Sequence, residues 1–387
     1  MVVDCGPSAT CSNSPTTNEA FVTVTVCPSN STANCQTFDH IQVDTQSYGL
    51  RILADATDEN GATLNTTNFP AETESTSGLP LAECAVFADG YSWGPVATAD
   101  VQVSGESAVN VPMQIIGDTD PPFATVPSDC LDSGGGAEDT VATFGANGIL
   151  GVGVFVQDCG SGCAPGGGVS VTYYYVCSSS SDTCSDSDVA TTQQVSNPVA
   201  YFATDNNGVI IELPAISSAG AATVTGALVF GIDTESNNSL GSVTVFQADP
   251  EIGSITTEFD GQTLPDSILD TGSNAYFFQD NNITQCTGAL DGFYCPTSTL
   301  SLSGTISSAD GNPSGTSTTV DFSVADTENL NPNYTAFDDL AGPVSSGLSS
   351  GTDGIFDWGL SFFFGRNVYV AIQGMNTSAG DGPYYAF

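Results

Sequence analysis

Residues 21–26 read Phe-Val-Thr-Val-Thr-Val, an apolar–polar alternation of period two that predicts a half-buried β-strand. A short polar loop bounded by Cys27 and Cys35 follows, and residues 36–43 form the next strand pattern. The pair predicts a hairpin stapled near its turn, whose second strand runs straight into Asp44. Further strand patterns lie at 101–103, 169–176, 209–213, 224–230, 243–246 and 368–372. Long helical periodicity is absent, and short helices are expected only near 197–202 and 335–340. Glycine and proline recur at short intervals, so the chain reads as almost entirely β. Residues 1–19, rich in Ser, Thr, Asn and Pro, read as a tail. A polar stretch at 191–196 suggests a seam between one β unit over 20–195 and a second over 196–387. With 387 residues, each unit is long enough for its own core.

Composition changes the picture in two ways. There are 44 Asp and Glu against two Arg, with no Lys and one His, for a formal charge of −42. So anionic a surface repels phosphate backbones and anionic lipid, which argues against nucleic-acid and membrane-surface binding. Life in acid, life in salt, or resistance to trypsin-like cleavage would each account for the missing cations. The twelve cysteines fall mostly in close pairs. These are Cys5 with Cys11, Cys27 with Cys35, Cys159 with Cys163, Cys177 with Cys184, and Cys286 with Cys295; Cys84 and Cys130 are left as the sixth pair. Such spacing across turn-rich loops reads as disulfides formed in an oxidising compartment. Zinc is disfavoured by the lack of a CxxC and the single imidazole, His40. No apolar run reaches membrane-spanning length and no signal peptide opens the chain, so a mature secreted protein is expected.

Few catalytic chemistries remain. Without lysine there is no Schiff base, and a Ser-His or Cys-His pair would have to use His40, which fits a hydrogen-bonded strand residue better. Phosphate-binding fingerprints are missing; Gly166-Gly167-Gly168 sits between cysteines rather than before a helix. Two segments, however, nearly repeat: Val43-Asp44-Thr45-Gln46-Ser47 and Leu269-Asp270-Thr271-Gly272-Ser273. Two adjacent carboxyl groups cannot both ionise and therefore share a proton, which suits one as base and the other as acid. Ser47 and Ser273 are expected to hydrogen-bond the outer carboxylate oxygens, and Thr45 and Thr271 to cross-brace the two loops. Gly272 would let backbone approach the carboxylates closely. Gln46 breaks the repeat at that position.

These segments, with several others in matching order, resemble the pepsin-like aspartic peptidases, most closely an uncharacterised bacterial secreted family with that fold. The resemblance covers nearly all of 20–387. Phe87-Ala88-Asp89-Gly90 through Gly105 is similar to the flap hairpin and its following strand, with Phe87, Gly90 and Tyr91 as the flap residues. Asn147-Gly148-Ile149-Leu150-Gly151 resembles the segment behind the first aspartate loop, Gly226–Asp233 the strand opening the second lobe, and Trp358-Gly359-Leu360 to Val370 the last buried motif. The resemblance implies an all-β, bilobal fold of two six-stranded-type β-barrel lobes. Asp44 and Asp270 would meet at the floor of a central cleft that takes extended polypeptide and needs no metal or organic cofactor. Four residues depart from the pattern. Gln46 replaces a glycine, and Phe87 stands where a tyrosine is usual, with Tyr91 as a candidate substitute. Ser361 replaces a supporting glycine, and Arg51 would place a cation close to Asp44.

Two functions follow as expectations: a secreted aspartic endopeptidase, or an inactive extracellular binding or filament subunit of the same fold. For the second, the strand at 21–26 would serve as an edge for pairing between copies. Acidic loops such as 182–188 would be the place for Ca2+, although none has EF-hand spacing.

Overall fold

The computed structural model describes residues 1–133, 135–168, 173–178, 182–309, 315–344 and 354–387. The protein is all-β, and among the described residues no helix is longer than four residues. Strand patterns became strands at Gly90–Val103, Tyr174–Ser178, Gly208–Leu213, Val224–Thr225, Ala227–Phe230, Val245–Gln247 and Arg366–Ala371. The pattern at 169–176 lies outside the described residues over 169–172. A single-turn helix forms at Pro198–Tyr201. None forms at 335–340, where the backbone of Ala336 instead bridges to Ala221.

In the first half, six strands close into a barrel. Ala20–Pro28 pairs with Gln36–Asp44, which runs parallel to Gly148–Val152. That strand pairs with Tyr48–Leu53, which lies parallel to the end of Glu106–Ile116. Glu106–Ile116 pairs with Gly90–Val103, and Gly90–Val103 returns to Ala20–Pro28. Closure leaves no free edge within the barrel. The strand at 21–26 is therefore not an edge: one side faces Gln36–Asp44, and the other is covered at its ends by Val2–Val3 and by Gly90–Val103. The second half differs from the expected six-stranded barrel. Apart from Val224–Thr225, which joins the first half's sheet, and the ribbon of Asn376–Thr377 with Gly380–Asp381, its strands form a five-stranded and a seven-stranded sheet that do not close among the described residues.

The two halves nevertheless share one local arrangement. Gln262–Leu269 runs parallel to Asp357–Trp358, which pairs antiparallel with Tyr276–Phe277, itself parallel to Ala341–Gly342. The order and directions repeat those of Gln36–Asp44, Gly148–Val152, Tyr48–Leu53 and Glu106–Ile116. Superposing the registers matches Leu269 to Val43, Trp358 to Leu150 and Asp357 to Ile149.

The first nineteen residues are no loose tail. Val2–Val3 pairs with both Ala20–Phe21 and Val224–Thr225. Asn18, fully buried, donates through Nδ2 to Asn274 O (2.8 Å) and Phe337 O (2.7 Å) and accepts from Phe337 N–H (2.7 Å).

The cysteines join as their spacing predicts. Cys5 bonds to Cys11 within the N-terminal segment, and Cys27 bonds to Cys35 across the turn of the first hairpin. Cys84 bonds to Cys130, the one long closure, which ties the strand Leu81–Val86 to the short helix Ser128–Leu131. Cys159 bonds to Cys163, Cys177 to Cys184 across the hairpin of Tyr174–Ser178 and Thr183–Asp186, and Cys286 to Cys295. Six disulfides and no free cysteine fit an oxidising compartment. Among the described residues no helix is long and apolar enough to cross a membrane.

Candidate active site

Strand alternation sets the site. Ile41 and Val43 turn into the barrel core, so Gln42 and Asp44 face the opposite way and line a cleft of about 320 Å³. Gln262–Leu269 delivers Asp270 to the same cleft. The two carboxyl groups lie within hydrogen-bonding reach of each other, at 6% and 9% exposure.

Their loops mirror each other. Gln46 N–H donates to Asp44 Oδ1 and Gly272 N–H to Asp270 Oδ1, both at 2.7 Å. Thr45 Oγ1 donates to Leu269 O (2.8 Å), Thr271 Oγ1 donates to Val43 O (2.7 Å), and Thr271 N–H donates to Thr45 Oγ1 (3.0 Å). The expected cross-brace is present. The seryl support is one-sided: Ser273 Oγ donates to Asp270 Oδ2 at 2.9 Å, whereas Ser47 Oγ is buried without a partner. Gly272 is constrained by space, because a Cβ there would sit 2.8 Å from Asp44 Cγ and 3.1 Å from Asp270 Oδ1.

Gln46 does not obstruct the cleft. Its Nε2 donates to Leu269 O (3.1 Å) and Tyr385 Oη (2.6 Å), and the residue is not part of the cleft wall. Its φ is not positive, so the glutamine is unstrained. Arg51 does not bring a free cation to Asp44 as its departure from the family pattern led us to expect, because its guanidinium is buried against Glu83 (Nη2–Oε1 2.5 Å) and Asp158 (3.1 Å). Tyr174 Oη also donates to Asp158, at 2.6 Å. Burial, then the Glu83 charge, hold the Asp158 carboxyl well above its usual range, and the charge of Arg51 is spent within this cluster. Ser361 serves as a brace, lying 3.0 Å from Phe337 O and accepting from Asn18 Nδ2 at 3.1 Å.

The hairpin formed by Leu81–Val86 and Gly90–Val103 brings Phe87 to the cleft, edge-on to Phe144 at 6.1 Å between ring centres. Gly90 is buried and pairs with Gly136. Tyr91 is not a substitute for the missing hydroxyl, because it packs beneath the hairpin with Cys84, Trp93, Phe123 and Cys130. His40 lies against Asp4 (3.3 Å) and Asp39 (3.1 Å), a strand histidine paired with carboxylates. Among the described residues, the carboxylates of 182–188 do not form a group of three within chelating distance of one another. Among the described residues one group, Cys295, Asp326 and Glu328, has chelating proximity, and Cys295 is spent in a disulfide.

Sequence reasoning missed four carboxyl groups of the cleft: Glu19, Asp89, Glu138 and Asp357. Burial, then the Asp89 charge, push Glu19 up to about 8 and Glu138 up to about 7. Asp357 is the most enclosed, at 2% exposure. Burial chiefly, with the charge of Asp44 added, pushes it up to about 8, against a lowering contact with Ser273. For Asp270 burial again leads, followed by the charges of Asp44 and Asp357, and its carboxyl is held well above the usual range. The two carboxyl groups therefore titrate as a unit, with Asp270 pushed towards its protonated form.

The profile of a family described as proteins of unknown function, DUF3443, matches residues 1–387. The chain belongs to the DUF3443 family. No curated protein matches this DUF3443 chain.

Proposed function

We propose that this DUF3443 protein is a secreted, pepsin-like aspartic endopeptidase. The observation that carries the reading is the pair Asp44 and Asp270, delivered by two copies of one strand arrangement, each accepting a 2.7 Å backbone hydrogen bond and sharing hydrogen-bonding reach. Asp270 carries the shared proton and its partner acts as base. The base takes a proton from a water, the water oxygen attacks the scissile carbonyl carbon, and Asp270 protonates the carbonyl oxygen. Collapse of the tetrahedral species passes a proton to the leaving nitrogen and breaks the C–N bond. The cleft between the halves would take an extended polypeptide, with Phe87 and Phe144 offering an apolar wall.

The test is cleavage of unfolded casein from pH 3 to 7, with and without a statine-type transition-state mimic, in wild type and Asp270→Asn. Wild-type cleavage that the mimic blocks and the variant lacks supports the reading. Equal inertness of the two proteins across that range overturns it and leaves an inactive binding or structural protein of the same fold.

A further inference from the structure

The repeat of strand arrangement makes an asymmetry in the cleft visible. At equivalent positions beside the two catalytic strands, the first half presents Ile149 and the second presents Asp357, and both line the cleft. The neighbours of Asp357 in the chain explain its direction. Phe356 and Trp358 are fully buried and stack on each other at 4.2 Å, with Phe278 stacked on Phe356 at 4.9 Å. Strand alternation then turns Asp357 the other way, towards the dyad. Its Oδ1 is buried without a hydrogen-bond partner.

Burial holds this carboxyl in its protonated form, and it would ionise there only against a counter-charge. Here none is available. The chain has no lysine and two arginines. Arg51 is committed to Glu83 and Asp158, and Arg366 lies over the Phe362 ring at 4.5 Å and donates to Phe362 O. The titratable groups that face Asp357 are the two dyad aspartates, both acidic. Phe277, another residue of the cleft wall, offers a ring for an alkyl stem or a cation. A metal ion is a poor fit, because among the described residues no three of the cleft's carboxylates come within chelating distance.

We propose that Asp357 forms a subsite for a lysine or arginine side chain of the bound peptide, next to the dyad and opposite in character to the apolar subsite at Ile149. This rests on the peptide-cleft reading above and narrows its substrate class to chains with an apolar residue and a basic residue flanking the reacting bond. An ammonium or guanidinium would donate to Oδ1 and supply the positive charge against which the carboxyl releases its proton to solvent.

The experiment is calorimetric binding at pH 7 of non-cleavable peptides with a statine-type core. Each carries either lysine or norleucine immediately before or immediately after the core. Wild type should bind lysine at least tenfold more tightly than norleucine at one of the two places. In Asp357→Asn that ratio should fall to about one. In Asp357→Ile, which repeats the residue of the first half, norleucine should be preferred; near-ultraviolet circular dichroism checks that both variants are folded. A wild-type ratio near one at both places overturns the proposal, as does a ratio that survives both substitutions, or the absence of binding by any of the peptides. Casein cleavage reports separately on catalysis, so an inert protein that still selects lysine through Asp357 refutes the peptidase and keeps the subsite.

Discussion

Replacing Asp357 by asparagine should flatten the dependence of stability on pH. The carboxyl is pushed from 3.8 up to about 8 on folding, so the folded protein binds its proton more tightly than the unfolded chain does. For a group raised in this way, the stabilisation is complete below the unfolded value and is lost as pH rises towards the folded one. Each pH unit inside that window costs about 1.4 kcal/mol. Between pH 4.5 and 7.5 the contribution of this one group falls by about 4 kcal/mol. The discount for solvent screening is small, because the residue is 2% exposed. Asparagine keeps the shape but has no proton to lose. Guanidinium unfolding of the disulfide-intact proteins at pH 4.5, 6 and 7.5 measures the difference directly. Wild type should lose about 4 kcal/mol more than Asp357→Asn across the series. The repulsion of the anionic surface is common to both proteins and cancels in the comparison. Parallel curves for the two would refute the reasoning, since they would mean that Asp357 titrates alike in folded and unfolded chains.

The remaining predictions concern neighbouring residues. Gln46→Gly removes hydrogen bonds to Leu269 and Tyr385 and should cost about 1–2 kcal/mol in chemical unfolding. It should leave casein cleavage within about threefold of wild type, because that side chain is outside the cleft; loss of activity would show that the amide reaches the dyad. Arg51→Met leaves Glu83 and Asp158 buried without a cation and should destabilise by about 3–5 kcal/mol at pH 7. That penalty should shrink as pH falls and the uncompensated charge is removed, and a pH-independent loss would count against Arg51 as the counter-charge of this cluster. Asn18→Ala removes four hydrogen bonds at a buried residue with φ of 54° and should cost about 3–5 kcal/mol by the same unfolding assay. A loss under about 1 kcal/mol would remove it from the account of how the second aspartate loop is held.

The parts of the site that are local in sequence were legible before the structure. Asp44 and Asp270 stand at the ends of apolar strands and repeat a short string, and their threonines brace each other as two related loops require. The disulfides were legible for the same reason, since five of the six join cysteines nine residues apart or fewer, and Cys84 and Cys130 then pair by remainder. What stayed hidden depends on distant partners. Arg51 is close to Asp44 along the chain, yet its charge is taken by residues 32 and 107 positions further on. The covering of the strand at 21–26 comes from Val2–Val3 and from residues near 100. Asp357 carries a readable signal: a carboxylate between Phe356 and Trp358 has the same alternation that marks Asp44 after Val43. The run is short and aromatic, so it reads as core.

Asn18 has a consequence for the order in which the protein becomes competent. Its partners lie 256, 319 and 343 residues further along, and they include the backbone just after Ser273 and the hydroxyl of Ser361. A chain emerging from the ribosome must therefore hold Asn18 unsatisfied until residues 274, 337 and 361 have appeared. The first barrel can close before that, but the wall of the second aspartate cannot be fastened. The pairing of Asp44 with Asp270 is therefore fastened late in biosynthesis, once residues 337 and 361 have joined Asn18.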